Sequence, residues 1–398
     1  MKNISKILKI GILSILVSFI SCTENFPDIN KDPNAFNAVS AETLIVGSMK
    51  SFLDIYGGLH NLWYCINSSR HAGAMSGNEM HRYGFNGGHT GNYWQSGYFA
   101  IKNCQEVIDG FSDDPDYANR VAMAKILRAT IHSYIVGSWG PSPMSEAGTG
   151  EPSIAYDSEE EIYTAILNAL KENAELLMPE GDAFYDDPLY NGDIHKWKIF
   201  ANTMRLKIAL RASEAFPALA SEHGSDVMAN EDDLINSNAD EAALTWGTSL
   251  EDWSYYYNNF IHDGRTEYIP KMNHMMVLYM KTYKDSRISS FAEPAVIPFV
   301  ITEDLELTPG SGNMVSVTYG IEYVGGSVAN NSASLDEWNL EPSQNPYQGF
   351  GDDNYSYWNQ ENFMKPDLTW TIQSASDSKL CQAEAALKGW GGSKSAQE

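Results

Sequence analysis

The chain has 398 residues, 43% of them hydrophobic and 12% aromatic, which is ample material for a large core. Its 52 acidic residues outnumber 26 basic ones, for a formal net charge of −26. So negative a surface repels phosphates at long range, which makes nucleic acid and anionic lipid headgroups poor partners and leaves neutral or cationic ligands open.

The chain opens with Lys2, Lys6 and Lys9, then about eleven mostly apolar positions from Ile10 to Ile20, then Ser21, Cys22 and polar residues. A basic start followed by an apolar run too short to span a bilayer is the pattern of an export signal. Setting aside residues 1–21, which hold three lysines and no acid, takes the net charge to −29. The small Ser21 directly before Cys22 makes this run resemble the lipobox of bacterial lipoproteins. That resemblance implies cleavage before Cys22 and a diacylglycerol on its sulfur; an ordinary signal peptide with an incidental cysteine is the alternative. Two acyl chains anchor stably where one does not. Residues 22–39, polar and turn-rich with Pro27 and Pro33, read as a flexible tether, and residues 40–398 as one large body. Beyond the leader no stretch approaches the roughly twenty apolar residues of a spanning helix.

After Ser40, "AETLIVGSMKSFLDIYG" predicts a first helix. The glycine-rich "GNEMHRYGFNGGHTGNYW" reads as a loop that carries Arg82, Tyr83 and Phe85. In "NRVAMAKILRATIHSYIVGSWGP", Ala122, Ala129 and Ser133 sit beside Ile126 and Tyr134 in a helix expected to end at Gly137, with Pro141 beyond. In "YDSEEEIYTAILNALKENAELLMPEGD", Ser158 and Glu161 form a capping box. Ile162, Ile166, Ala169, Leu170 and Leu177 share one face before Pro179 and Gly181 stop the helix. Asp193 can cap the next helix, whose inner stripe is Trp197, Phe200, Ala201, Met204 and Ile208. "TSLEDWSYYYNNF" reads as a second loop, carrying Trp253, Tyr256, Asn258 and Asn259. From about Phe291 to Asn354 the periodicity gives way to Gly, Pro, Asn and Ser, with a minor strand in "MVSVTYGIEYV" and further aromatics at Tyr323, Trp338 and Tyr347. Small residues at helix contact points let helices pack closely in pairs, and the spacing of these segments resembles tetratricopeptide arrays without a clean repeat consensus. The expected fold is all-α, a tetratricopeptide-like helical-pair scaffold with long irregular insertions and a minor β component.

Enzyme chemistry finds little support. G-x-S-x-G, H-E-x-x-H, the P-loop and the dinucleotide fingerprint are absent, and neither catalysis nor a cofactor is expected. "DPLYNG", from Asp187 to Gly192, fails as a calcium loop because Leu189 takes the third position and Lys198 stands where a bidentate Glu belongs. It reads instead as a tight turn leading into the helix after Asp193. The spacing of His60, His71, His81 and His89 suits no metal site. Cys65, Cys104 and Cys381 are scattered and odd in number, and read as buried free thiols. Carbohydrate binding needs flat aromatic faces beside amides, carboxylates or guanidinium groups. The candidates are Arg82, Tyr83, Phe85, Trp253, Tyr256, Asn258, Tyr323, Trp338 and Tyr347, with core packing the competing role for each aromatic. Trp139, Trp197 and Trp390 lie on helices or helix ends and are assigned to the core.

Several segments together resemble the SusD/RagB family of Bacteroidetes nutrient-capture lipoproteins. "FPDINKDPNAF" is similar to that family's DINxDPN opening, and "ILRATIHSYIVGSWGPSPMSEA" to its helix ending in an aromatic-Gly-x-x-Pro turn, although the usual Tyr-Gly-Asp is here Trp139-Gly140-Pro141. "NGDIHKWKIFANTMRLKIALRAS" and "CQAEAALKGWGG" resemble two further family helices, in matching order along nearly the whole chain. The resemblance implies an outer-membrane, surface-exposed lipoprotein anchored through Cys22. Such a protein binds a glycan or glycan-like nutrient and passes it to a SusC-type TonB-dependent transporter, which it covers as a lid. A peptide-binding member and a scaffold lipoprotein that contacts only protein are the alternatives. Family members continue well past the Gly389-Trp390 segment, so the chain is expected to be truncated or a fragment, and the late helix to lack the partners that bury its inner face.

Overall fold

The computed structural model describes residues 39–73, 87–148, 153–265, 269–294, 299–306, 314–321, 356–392 and 395. Cys22, Arg82, Tyr83, Phe85, Tyr323, Trp338 and Tyr347 lie outside the described residues. Contacts divide the chain into Met1–Thr43 and Leu44–Glu398. In the first unit, the Ser40 hydroxyl accepts the Thr43 amide at 3.2 Å, so the helix begins where the sequence places its start.

The fold is all-α with a few short strands. Helix α1 spans Ala41–Leu53 and continues as a π-helical stretch over Asp54–Cys65. Next come α2 (Gly87–Phe111), α3 (Ala118–Trp139), α4 (Glu159–Leu176), α5 (Ile194–Ala212) and α6 (Pro217–Met228). After them lie α7 (His274–Thr282) and α8 (Ala375–Leu387). Each helix from α2 to α6 packs on the next, and α8 returns onto α5 and α6. Helices α3 and α5 are buried around most of their circumference, as central members of an array must be, whereas α4 buries one stripe led by Ile162, Ile166 and Leu170.

Local signals fix the array. Glu161 N–H donates to Ser158 Oγ at 3.3 Å and Ser158 N–H to Glu161 Oε2 at 2.9 Å, the predicted capping box. Asp193 Oδ1 accepts Lys196 N–H at 3.1 Å. Before it, the Asp187 carboxylate accepts Leu189 N–H and Tyr190 N–H, each at 2.9 Å, Gly192 N–H at 2.7 Å and the Trp197 indole N–H at 3.2 Å. This "DPLYNG" is therefore the tight turn predicted, and it locks the fully buried Trp197 into place.

Three expectations need correction. Helix α3 runs past Gly137 to Trp139, and Gly140 ends it with φ of 75°, a left-handed backbone that glycine adopts without steric cost. Residues 87–94, read as loop, open the 25-residue helix α2, whose inner face carries Tyr93, Ala100, Ile101, Cys104 and Val107. Cys104 and Cys381 are buried free thiols, but Cys65, at the end of the π-helical stretch, is exposed.

The strands are local clamps. β1 (Ala72–Gly73) pairs antiparallel with β3 (Lys271–Met272), β2 (Ala242–Thr245) with β6 (Thr369–Gln373), and β4 (Phe299–Glu306) with β5 (Met314–Ile321). The last pair contains the predicted strand. β2 and β6 join segments more than a hundred residues apart, with Thr245 facing Thr369 and their hydroxyls 2.8 Å apart. Beyond α8, Trp390 packs onto α6 so closely that a Cβ on Gly224 would lie 2.0 Å from its ring. On α8, Ala375, Ser378, Cys381 and Ala385 are buried, while Leu380 and Leu387 are 70% and 78% exposed. No helix of the described residues is long and apolar enough to cross a membrane.

Candidate functional site

The segment after β2 gathers the described ligand candidates. Trp246 N–H bonds Leu368 O at 3.1 Å, and one turn over Leu250–Asp252 brings the chain to Trp253. Asp252 pairs with Lys50 of α1. Fully buried Ser254 donates its N–H to Pro366 O at 2.9 Å and its hydroxyl to Lys365 O at 2.8 Å, which pins the segment to the chain leading into β6. A π-helical turn over Tyr257–His262 follows. Extra residues in such turns re-aim side chains, a device frequent at functional sites.

These constraints present a ledge. The Trp253 indole N–H donates to Thr248 O at 3.0 Å, while its ring meets Tyr257 at 5.1 Å and His262 at 4.8 Å between centroids. Trp253, Tyr257 and Asn258 are half-buried and His262 is exposed. The Asn258 side-chain amide makes no hydrogen bond within the described residues, whereas that of Asn259 donates to Tyr255 O at 2.9 Å. An indole face beside an uncommitted amide offers a stacking surface and a hydrogen-bonding group together.

Tyr256 is corrected from ligand candidate to core residue. It is 3% exposed, its ring lies 5.5 Å from Trp370 and 6.0 Å from Phe260, and its hydroxyl accepts a hydrogen bond from Asn61 at 3.4 Å. Burial raises its pKa above the ordinary phenol value. Gly57 and Gly58 make room for its neighbours: a Cβ on Gly57 would lie 2.3 Å from Trp370, and one on Gly58 2.7 Å from Tyr255.

A second aromatic surface escaped the sequence reading. Trp94 and Tyr98, one turn apart on α2, lie 4.8 Å apart, and Trp94 meets Trp139 edge-on at 5.3 Å and Tyr156 nearly parallel at 6.2 Å. Tyr156 is 64% exposed. Trp139, expected in the core, is instead half-buried here and stacks on Tyr93 at 4.4 Å. The four-residue spacing of Trp94 and Tyr98 was the available signal, but the glycines around it hid the helix. Trp197 and Trp390 are buried as assigned.

Among the described residues no group of three or more His, Cys, Asp or Glu side chains is placed to hold a metal. Asp54, at the start of the π-helical stretch, has its pKa pushed up to about 6 by burial.

The family model for SusD-like proteins, described as starch-binding and associating with the outer membrane, matches residues 33–398. The chain belongs to the SusD-like family. Among solved structures it is similar to a chitin-binding protein at 24% identity, covering 89% of this chain and 71% of that one, with a TM-score of 0.68. A chitin-binding SusD homologue from Flavobacterium johnsoniae gives 21% identity, 89% and 68% coverage, and a TM-score of 0.64. A SusD-like protein from Bacteroides thetaiotaomicron gives 20%, 90% and 67%, and 0.64. At these identities the likeness is one of fold. No curated protein matches the chain.

Proposed function

We propose that this SusD-like protein is a binding protein, not an enzyme, which captures a glycan at the cell surface and passes it to a SusC-type TonB-dependent transporter. Residues 1–21 act as the export signal, Cys22 carries the lipid, and residues 22–39 form the leash. The family's description as starch-binding and the chitin-binding character of two structural neighbours support a glycan as ligand.

The observation that carries the reading is the ledge at Trp253. A sugar ring lays its C–H face on the indole and Tyr257, and Asn258 bonds its hydroxyls. Such a site needs no proton transfer. Tethering through Cys22 raises the effective concentration of a neighbouring membrane protein, so a modest interface with the transporter suffices. Arg82, Tyr83, Phe85, Tyr323, Trp338 and Tyr347 remain further candidates for the same ligand.

The test is calorimetric titration with maltoheptaose and chitohexaose. A stacked ring contributes on the order of 1 kcal/mol, so Trp253→Ala weakens the bound glycan about tenfold while leaving the fold intact. Binding of neither glycan, or unchanged affinity in a folded Trp253→Ala protein, defeats the reading. Binding of a peptide library in their place favours the peptide alternative.

A further inference from the structure

Apart from the ledge, a cleft of about 260 Å³ opens among α2, α3, α4 and α5. This lies just below the roughly 300–1,000 Å³ of pockets for drug-sized ligands and suits one small molecule. Two cations line it, Lys207 and Arg211 of α5, and no Asp or Glu does, in a chain with twice as many acids as bases. The remaining polar lining is hydroxyl-rich, including Tyr134, Tyr163 and Ser133.

Lys207 is already committed, donating to Asp377 at 2.6 Å and to Gln373 at 3.2 Å. Burial opposes its charge, but Tyr134 and Asp377 outweigh burial and hold its pKa above the ordinary lysine value. Arg211 differs. Its guanidinium lies over Gly137, where a Cβ would come within 2.9 Å of it, and donates one N–H to Gly137 O at 2.7 Å. No carboxylate pairs with it among the described residues. A guanidinium has five N–H donors, so most of its fork is uncommitted. The hydroxyls of Tyr134 and Tyr163 likewise bond no described residue. Met204 and Ile208 supply the apolar wall.

We propose that this cleft binds a small organic carboxylate of about monosaccharide size, with the acid on Arg211, the hydroxyls of Tyr134 and Tyr163 donating to its oxygens, and its body against Met204 and Ile208. Planar guanidinium matches carboxylate bidentately, and such charge-assisted hydrogen bonds are about twice as strong as neutral ones. A neutral sugar of equal size leaves the guanidinium without its anion. The cleft is separate from the Trp253 ledge, and the two sites are tested independently.

The experiment is calorimetric titration of the protein with glucuronate and, under the same conditions, glucose. Saturable binding of glucuronate alone is expected, weakened at least tenfold in Arg211→Gln and severalfold in Tyr134→Phe, with maltoheptaose or chitohexaose binding unchanged in both variants. Arg211→Lys keeps the charge and loses the fork, so it too binds more weakly than the parent. No saturable glucuronate binding, equal binding of glucose, or parental affinity in a folded Arg211→Gln or Arg211→Lys protein overturns the proposal.

Discussion

The helical array α3–α6 and the segment 246–263 are held by opposite means. In the array the helices pack on their sequence neighbours and most links are short-range: Ser158 caps α4, Asp193 caps α5, and Asp187 fixes Trp197 within ten residues, while the start of α3 rests on Asp182, whose carboxylate accepts Asn119 N–H at 2.9 Å and Arg120 N–H at 3.0 Å. In the later segment the anchors that tie it to the rest of the chain are distant: Lys50 for Asp252, Lys365 and Pro366 for Ser254, Trp370 for Tyr256. Local anchoring makes a scaffold that tolerates surface change. Distant anchoring leaves Trp253 half-buried on the outer rim and the Asn258 amide uncommitted among the described residues, both available to a ligand.

The sharpest way to break this comparison is Trp197→Ala. Removing a fully buried tryptophan, and with it one of the hydrogen bonds that Asp187 accepts, is expected to cost about 3–5 kcal/mol in denaturant unfolding. A loss under about 1 kcal/mol would mean that the array does not depend on that lock.

Acid tests the array next. His132 of α3 is buried, neither ring nitrogen has a hydrogen-bond partner among the described residues, and burial with Arg128 nearby pushes its pKa down to about 3. The folded value lies below the unfolded one, so the unfolded chain takes the proton first. This contribution is intact above about pH 6.5 and lost as pH falls toward 3, on the order of 2 kcal/mol between pH 7 and 5. His223, whose pKa burial and Arg205 lower to about 4, acts in the same direction. A His132→Leu protein should lose less stability between pH 7 and 5 than its parent; an identical pH profile would remove His132 from the account.

Gly224→Ala tests how closely the array is packed from outside, at the contact of Trp390 with α6. Alanine favours a helix interior by about 1 kcal/mol over glycine, but its methyl collides with Trp390. Overpacking costs about 1–3 kcal/mol, so the net effect on thermal unfolding is destabilising by about 1 kcal/mol. A raised midpoint would show that Trp390 yields freely.

The smallest effect is expected at Asn258→Ala. Its amide bonds no described residue, so stability should shift by less than about 0.5 kcal/mol while glycan affinity falls. A large stability loss would make Asn258 structural.

The same contrast decides what the sequence reveals. Caps and stripes are local, so α4, α5 and the "DPLYNG" turn are legible, and so is the all-α class. Helix α2 was hidden because Gly87, Gly88, Gly91 and Gly97 look like a loop, while its stability comes from burying Tyr93, Ile101 and Val107 against neighbours. Tyr256 and Trp253 stand three residues apart in one aromatic run, and only the arrival of Trp370 sends the first inward and leaves the second at the surface. Trp139 misled for a related reason: a helix end counts as core until its partners, Tyr93 and Trp94, are seen to leave one side open. Cys65 was misplaced because an unpaired cysteine reads as a small buried hydrophobe, whereas this one ends the π-helical stretch at an exposed position.

The central claim is that glycan binding lies on the distantly anchored segment and not on the array. Hydrogen exchange of the protein with and without chitohexaose or maltoheptaose, whichever binds, tests it directly. Added protection over residues 248–262, with α3–α6 unchanged, is the predicted result. Protection confined to α3–α6 would contradict it.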